Sequence, residues 1–252
     1  MRATDLEQTM ILTIPASIEE EGSSVIPVDT LLNISNELPD GRITLLVDKK
    51  LNVSIKSEKG DYDLKGMTPE EFPALPELDE QNAVTIPSEL FKTIIQTTSF
   101  AISGDELKPA LTGVLFQFKD GGLTTVATDG HRLARYHIKE FESTGFSGDI
   151  IIPRKFLSLS KNLLGKKETV EMQIGKNHIT VTFGDDKVHS RIIDERYPDY
   201  ESVIPTNNDK SLTINTQEMI SAVRRVSIFS NRTTQQIAIK MDKDILEITT
   251  ED

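Results

Sequence analysis

The chain has 252 residues, 37% of them hydrophobic and 27% charged, which is a globular balance long enough for one large or two ordinary domains. It has no cysteine, so a disulfide framework and a thiolate metal site are both excluded, and no run of about 18 apolar residues or N-terminal signal pattern is present; a soluble, cytoplasmic protein is expected. A net charge of −12 opposes holding nucleic acid by bulk attraction, because phosphate binding relies on Lys and Arg displacing counterions, so any role on DNA must come from a local basic face or from topology.

Four helix-like stretches open in the same way. Ile26-Pro27 precedes Leu31-Leu32, Ile86-Pro87 precedes Leu90-Phe91, Ile152-Pro153 precedes Phe156-Leu157, and Ile214-Asn215 precedes Met219-Ile220. The spacings are 60, 66 and 62 residues. Proline fixes φ near the helical value and lacks an amide proton that the first turn could not bond, so it is a good helix start. A short apolar strand is expected before each helix and several strands after it. Residues 43–47, 51–57 and 62–66 follow the first helix, and residues 169–174, 178–183 and 187–193 follow the third, separated by turns such as Gly60-Asp61 and Gly184-Asp185-Asp186. The unit reads as strand, helix, three strands.

After the second helix, residues 123–128 are β-prone, Asp129-Gly130 is a strong hairpin signal, and Ala134, Tyr136 and Ile138 alternate with Arg135 and His137. This reads as strand, tight turn, strand. Ala3-Thr4-Asp5 repeats Ala127-Thr128-Asp129 at a distance of 124 residues, but Leu6-Glu7 stands where the second copy has Gly130-His131. An aspartate shared by both copies suits a structural role; Gly-His-Arg-Leu, found only in the second, suits a site that the second copy alone carries.

A period of about 125 residues lies over the shorter one. Glu71-Phe72-Pro73 returns as Arg196-Tyr197-Pro198, and residues 246–252 realign on 123–129. Two half-units therefore make one domain. The expected division is the later part of a first domain (1–82), a complete second domain (83–208) and the opening of a third (209–252), with linkers at residues 77–81 and 206–210.

No catalytic constellation is present. HExxH, the phosphate-loop pattern G-x-x-x-x-G-K-[ST] and G-x-S-x-G are all missing, and His131 and His137 would lie about 20 Å apart on one strand, too far to share a metal. No catalytic residue, metal or cofactor is expected. Arg154, Lys155, Lys161, Lys166 and Lys167 crowd the third helix and its exit, and Arg224, Arg225 and Arg232 mark the fourth. Such runs are solvated helix faces, or, at equivalent repeat positions in an acidic chain, a shared face that meets phosphate. From pattern alone, Leu133 and Val203 fit either a core or an apolar pocket.

Ala127-Thr128-Asp129-Gly130-His131-Arg132-Leu133-Ala134 resembles the signature of the bacterial DNA polymerase III beta subunit, the sliding-clamp family. Leu111-Thr112-Gly113-Val114-Leu115-Phe116, Pro153-Arg154-Lys155 and Tyr197-Pro198-Asp199-Tyr200 match that family at corresponding places, and the likeness runs over essentially the whole chain. It implies an α+β DNA-clamp fold of βαβββ half-units, two per domain, from which this chain departs by lacking the first half-domain and most of the third domain.

The resemblance implies a non-enzymatic processivity factor that encircles double-stranded DNA and tethers the replicative polymerase. Leu111, Thr128, Gly130, His131, Arg132, Leu133, Pro198 and Val203 match the positions of a groove for short linear motifs of polymerases, clamp loader and repair proteins. Lys108, Arg154, Lys155, Lys161, Arg224 and Arg225 would face the duplex. Tyr62 would meet Ile228-Phe229 of a partner in a homodimeric ring of the full-length protein, although such residues are as often core in a β-rich chain. The alternatives are a repeat adaptor that binds proteins without enclosing DNA, and a metal-dependent hydrolase acting on DNA; no membrane role is implied.

Overall fold

The structure is a computed structural model that describes residues 1–75, 82–141, 145–165, 167–242 and 245–250. The linker expected at 77–81, and Lys166 of the basic cluster, lie outside the described residues. The chain forms two compact units, Met1–Pro198 and Asp199–Asp252.

In the first unit a short hairpin, β1 (Arg2–Thr4) and β2 (Gln8–Ile11), precedes α1 (Val28–Glu37) and three strands, β3 (Thr44–Val47), β4 (Asn52–Ser57) and β5 (Gly60–Lys65). Then come β6 (Ala83–Pro87), α2 (Ser88–Thr98), β7 (Gly113–Lys119), β8 (Gly122–Thr128) and β9 (Leu133–Ile138). The unit continues with β10 (Gly148–Pro153), α3 (Arg154–Leu163), β11 (Thr169–Ile174), β12 (His178–Phe183) and β13 (Asp186–Arg191). The strand, helix, three-strand unit is complete twice between β6 and β13. Before α1 the expected strand is reduced to one bridge, Val25 to Met67, because the flanking residues find no further strand partner.

Proline starts three helices as expected. Pro27, Pro87 and Pro153 have φ of −57°, −56° and −61°, already in the helical range. The fourth start uses a side chain instead: Asn215 Oδ1 accepts the amide protons of Gln217 (2.9 Å) and Glu218 (3.2 Å), which satisfies two donors of the first turn.

All strand pairs are antiparallel, with sheet orders β3-β4-β5, β10-β7-β8-β9 and β1-β2-β13-β12-β11-β6. The main core lies between the last two. Phe91, Ile94 and Ile95 of α2 and Phe156 and Leu157 of α3 pack with Phe116, Phe118 and Leu123 on one side and Val170, Met172 and Val188 on the other. Fully burying each such side chain contributes roughly 1.5–3 kcal/mol. The strands show why the period-2 reading works: Val114, Phe116 and Phe118 alternate toward the helices, and Phe118 meets Phe146 edge-on at 5.5 Å.

Nothing in the sequence marks the joint between β2 and β13. Ile11 pairs with Lys187, Met10 with Val188, Thr9 with His189 and Gln8 with Ser190, so the first hairpin extends a sheet built almost two hundred residues later. The Thr13 amide donates to Asp186 Oδ1 at 3.1 Å and closes the joint. In β4 the side chains of Val53 and Ile55 are buried, whereas α1 and β3 bury none.

The second unit contains α4 (Thr216–Ser227) and a hairpin of β14 (Ala238–Met241) and β15 (Leu246–Thr249), with α4 against β15. The strand expected before α4 is absent among the described residues, where residues 204–215 run without regular structure.

Candidate functional site

The loop between β8 and β9 is four residues long, not the two-residue Asp-Gly turn expected. Pairing ends at Thr128 and Leu133, leaving Asp129 to Arg132 to turn the chain. Thr128 Oγ1 donates to the Arg132 carbonyl at 2.8 Å and accepts the Gly130 amide at 3.1 Å. Asp129 Oδ1 accepts the amides of Arg132 and His131, both at 3.0 Å. Gly130 has φ of 91°, a left-handed conformation that costs glycine little. The Asp-Gly pair signalled a turn correctly, but side-chain capping by Thr128 and Asp129 set its length.

Those two backbone amides, joined by the Arg132 guanidinium, pull the Asp129 carboxyl down to about 2. Its second oxygen, Oδ2, accepts Arg132 Nε at 3.0 Å. Both oxygens are thus engaged in holding the loop, as the recurrence of this aspartate suggests. The first copy confirms the part. Thr4 Oγ1 donates to the Gln8 carbonyl and accepts the Leu6 amide, and Asp5 Oδ1 accepts the amides of Glu7 and Gln8.

With the amides of Gly130, His131 and Arg132 bonded within the loop, those donors are not offered to a ligand and its side chains are. Gly130, His131 and Arg132 are exposed, Thr128 and Leu133 are half-buried, and Pro198 is exposed at the end of the first unit. Leu111 is only 8% exposed, so little of its side chain is open at the surface. It lies just ahead of β7, and the β7–β8 register, Leu115 opposite Val126, brings the start of β7 to the end of β8. Val203 belongs to the second unit, where it is 68% exposed.

One residue here escapes the sequence reading. The Arg132 guanidinium lies 5.7 Å from the centre of the Phe100 ring, a cation–π contact, and Phe100 is 56% exposed. Phe100 sits in a single 3-10 turn after α2 (Ser99–Ala101), outside the buried helical stripe. Its departure from that stripe is the only local signal, and spacing could not connect it with Arg132.

The basic residues separate into two kinds. Arg154 donates to the Ile102 carbonyl and Lys155 forms an ion pair with Asp5, so both are engaged inside the first unit. The bond to Asp5 holds the Lys155 ammonium above its ordinary range. Lys108 is exposed and lies 3.9 Å from Asp105; Lys161, Arg224 and Arg225 are exposed. Tyr62 is half-buried on β5, while Ile228 and Phe229 are exposed just beyond α4. Among the described residues no three His, Asp or Glu side chains are grouped to hold a metal ion.

Against known proteins, residues 1–76, 85–199 and 201–252 match in turn the N-terminal, central and C-terminal domains of the DNA polymerase III beta subunit. The beta sliding clamp of Treponema pallidum is 30% identical over 252 residues, covering 99% of this chain and 67% of its own. That of Bacillus subtilis is 33% identical over 215 residues, covering 85% and 57%. Among solved structures, the C. crescentus beta sliding clamp superposes with a TM-score of 0.91 at 28% identity, covering 100% of this chain and 69% of its own. The sliding clamp of Bartonella birtlesii bound to griselimycin gives 0.89 at 31%, covering 98% and 68%. The chain thus spans between just over half and about two-thirds of the length of these relatives.

Proposed function

The chain belongs to the DNA polymerase III beta subunit family of sliding clamps, and from that premise we propose that it serves as a processivity factor that encloses duplex DNA and recruits partners through the surface around the β8–β9 loop. The observation that carries the recruiting role is the loop itself. Its backbone is held by Thr128 and Asp129, and it presents Leu133 beside His131 and Arg132 on a rigid sheet. A preformed apolar anchor point flanked by a few polar groups suits the short linear motif of a polymerase or clamp-loader subunit, which brings one or two apolar side chains.

Enclosure reconciles DNA binding with a net charge of −12. A ring is retained by topology, so it needs only weak, sequence-independent phosphate contacts that permit sliding. The exposed Lys108, Lys161, Arg224 and Arg225 supply such charge; Arg154 and Lys155 would join them only by giving up their partners inside the chain. Closing the ring in the full-length protein would use Tyr62 of one copy and Ile228 and Phe229 of the next. The clamp has no active site of its own and works in the bacterial cytoplasm; no helix among the described residues is long and apolar enough to cross a membrane.

The test is fluorescence anisotropy with a labelled peptide of the Gln-x-x-Leu-x-Phe kind, titrated with this chain and with Leu133→Asp. Saturable binding that weakens at least tenfold in the variant, with an unchanged melt, supports the recruiting surface. Equal affinity of both proteins would remove Leu133 from it.

A further inference from the structure

Two stretches of this chain carry uncovered apolar faces, and the complete domain from β6 to β13 shows what covers their counterparts. There α1 with β3 to β5 is repeated by α3 with β11 to β13, and α4 with β14 and β15 repeats α2 with β7 and β8. In the complete domain the two kinds of half-unit close one core, with α2 against α3 and β6 along the edge of β11. Phe91, Ile94, Ile95 and Thr98 of α2 are buried in it. Their counterparts in α4, Met219, Ala222, Val223 and Val226, are only half-buried. Ile239 and Met241 of β14, which stand for the buried Phe116 and Phe118 of β7, are exposed.

The first half-unit is open in the complementary way. Helix α1 buries no side chain, where α3 buries Phe156, Leu157 and Ser160. On β3, Leu45 stands opposite Ile55 and Val47 opposite Val53, so both point to the face on which Ile55 and Val53 are buried, yet each is 46% exposed. In the second domain the same places are taken by Met172, opposite Val181, and Ile174, opposite Ile179, and all four are buried. Strand β3 is also an edge, in the order β3-β4-β5, whereas β11 is paired on its outer side by β6, with Thr85 opposite Glu171 and Val84 opposite Met172. Residues 211–215, which repeat β6 ahead of α4, form no strand, and Leu212 and Ile214 are exposed. A free strand edge and a strand-like segment without a partner are thus left over together.

We infer that the two half-units complete one another between copies of this chain: residues 211–215 of one copy add to the β3 edge of a second, α4 packs on α1, and a composite domain of the β6-to-β13 kind forms at the junction. The register follows from the second domain. With Leu45 in the place of Met172 and Leu212 in that of Val84, Leu212 meets Leu45 and Thr213 meets Thr44. Charge favours this match over α1 with α1 or α4 with α4, since α1 carries Asp29 and Glu37 with no basic residue and α4 carries Arg224 and Arg225 against Glu218. The contact is distinct from the one that uses Tyr62, which lies on β5 at the opposite edge of the sheet from β3. It joins unlike faces, so it runs head to tail.

The chain has no cysteine, so one introduced pair reports the register. Thr44→Cys and Thr213→Cys are made in separate chains, mixed and mildly oxidised. The disulfide-linked product of two chains should be about fivefold or more in excess of that from Asp61→Cys, a β5 position, mixed with Thr213→Cys. In sedimentation the unaltered chain should rise with concentration above the mass of one chain. Leu45→Asp and Ile239→Asp, each with a thermal melt to establish that it folds, should each sediment as one chain. Their mixture should regain a two-chain species, because each keeps the face that the other has lost. A single-chain mass at every concentration, with no preference for the 44/213 pair, overturns the inference. So does a disulfide that forms within one chain, not between chains, when both cysteines are placed in the same chain. Association that survives Leu45→Asp and is lost in Phe229→Ser would belong to the Tyr62 contact and would equally overturn it.

Discussion

Leu6 and Gly130 occupy the same place in two copies of one turn, and both are left-handed, with φ of 75° and 91°. Each is followed by amides that bond to the preceding aspartate, Asp5 or Asp129, and each donates its own amide to the preceding threonine. The geometry therefore requires a positive φ whatever residue stands there. Leucine bears a penalty that glycine avoids, and at 80% exposure Leu6 gains little packing in return. Leu6→Gly should stabilise the chain by about 0.5–1 kcal/mol after the entropy of the unfolded glycine is counted, and Gly130→Ala should destabilise it by a similar amount, both read by urea unfolding. A Cβ at Gly130 meets nothing within 4 Å, so strain alone sets that cost.

The Asp129 carboxyl, lowered to about 2 from an ordinary 3.8, makes the β8–β9 loop sensitive to acid. The folded form binds its proton less readily than the unfolded form, so its contribution is complete above the ordinary value and is lost as pH falls from about 4 through about 2. The protection of the His131 and Arg132 amides against hydrogen exchange, measured relative to the intrinsic rate at each pH, should fall across that window in the native chain. In Asp129→Ala that protection should be low at every pH.

His189 gives a second pH dependence at higher pH and at a different place. It stands opposite Thr9 at the β2–β13 joint, its Nδ1 lies 2.6 Å from Thr180 Oγ1, and its buried Nε2 has no partner among the described residues. Burial, and then the charges of Lys187, Arg2 and His178, hold it below its ordinary value. The unfolded chain takes up the proton first, so stability is full above about pH 6.5 and declines as pH falls below it toward the folded value. His178 is shifted in the same direction, also by burial first. The melting temperature should drop by a few degrees from pH 7.5 to 5.5, and His189→Gln should flatten much of that slope while His178→Gln flattens less.

Gly113 begins β7 where the chain has no room for a side chain. A Cβ there would lie 2.5 Å from the Ile152 carbonyl oxygen and 2.9 Å from Ile151 Cγ2 on the paired strand β10. Because the closest atom is backbone, relief requires the two strands to part. Gly113→Ala should cost about 2–3 kcal/mol in urea unfolding, whereas Gly104→Ala, which meets nothing within 4 Å, should stay within about 0.5 kcal/mol of the native chain.

By itself the sequence determined what neighbouring residues decide between them. Proline placement marked three helix starts, period-2 alternation marked β9, strand-like runs bounded by turn residues marked β4 and β11 to β13, and the recurring Thr-Asp pair marked two turns as structural parts. Each is a matter of backbone sterics or capping over a few residues, so the signal is written locally. The family signature lies in the same short stretch. The tertiary structure alone decided the pairing of β2 with β13, the engagement of Lys155 by Asp5 at a separation of 150 residues, and the placing of Phe100 beneath Arg132. A lone sequence shows Lys155 as one more exposed cation and Phe100 as one more helix-end aromatic. Their partners are chosen by sheet order and chain crossing, which fix distances in space that no spacing along the chain records.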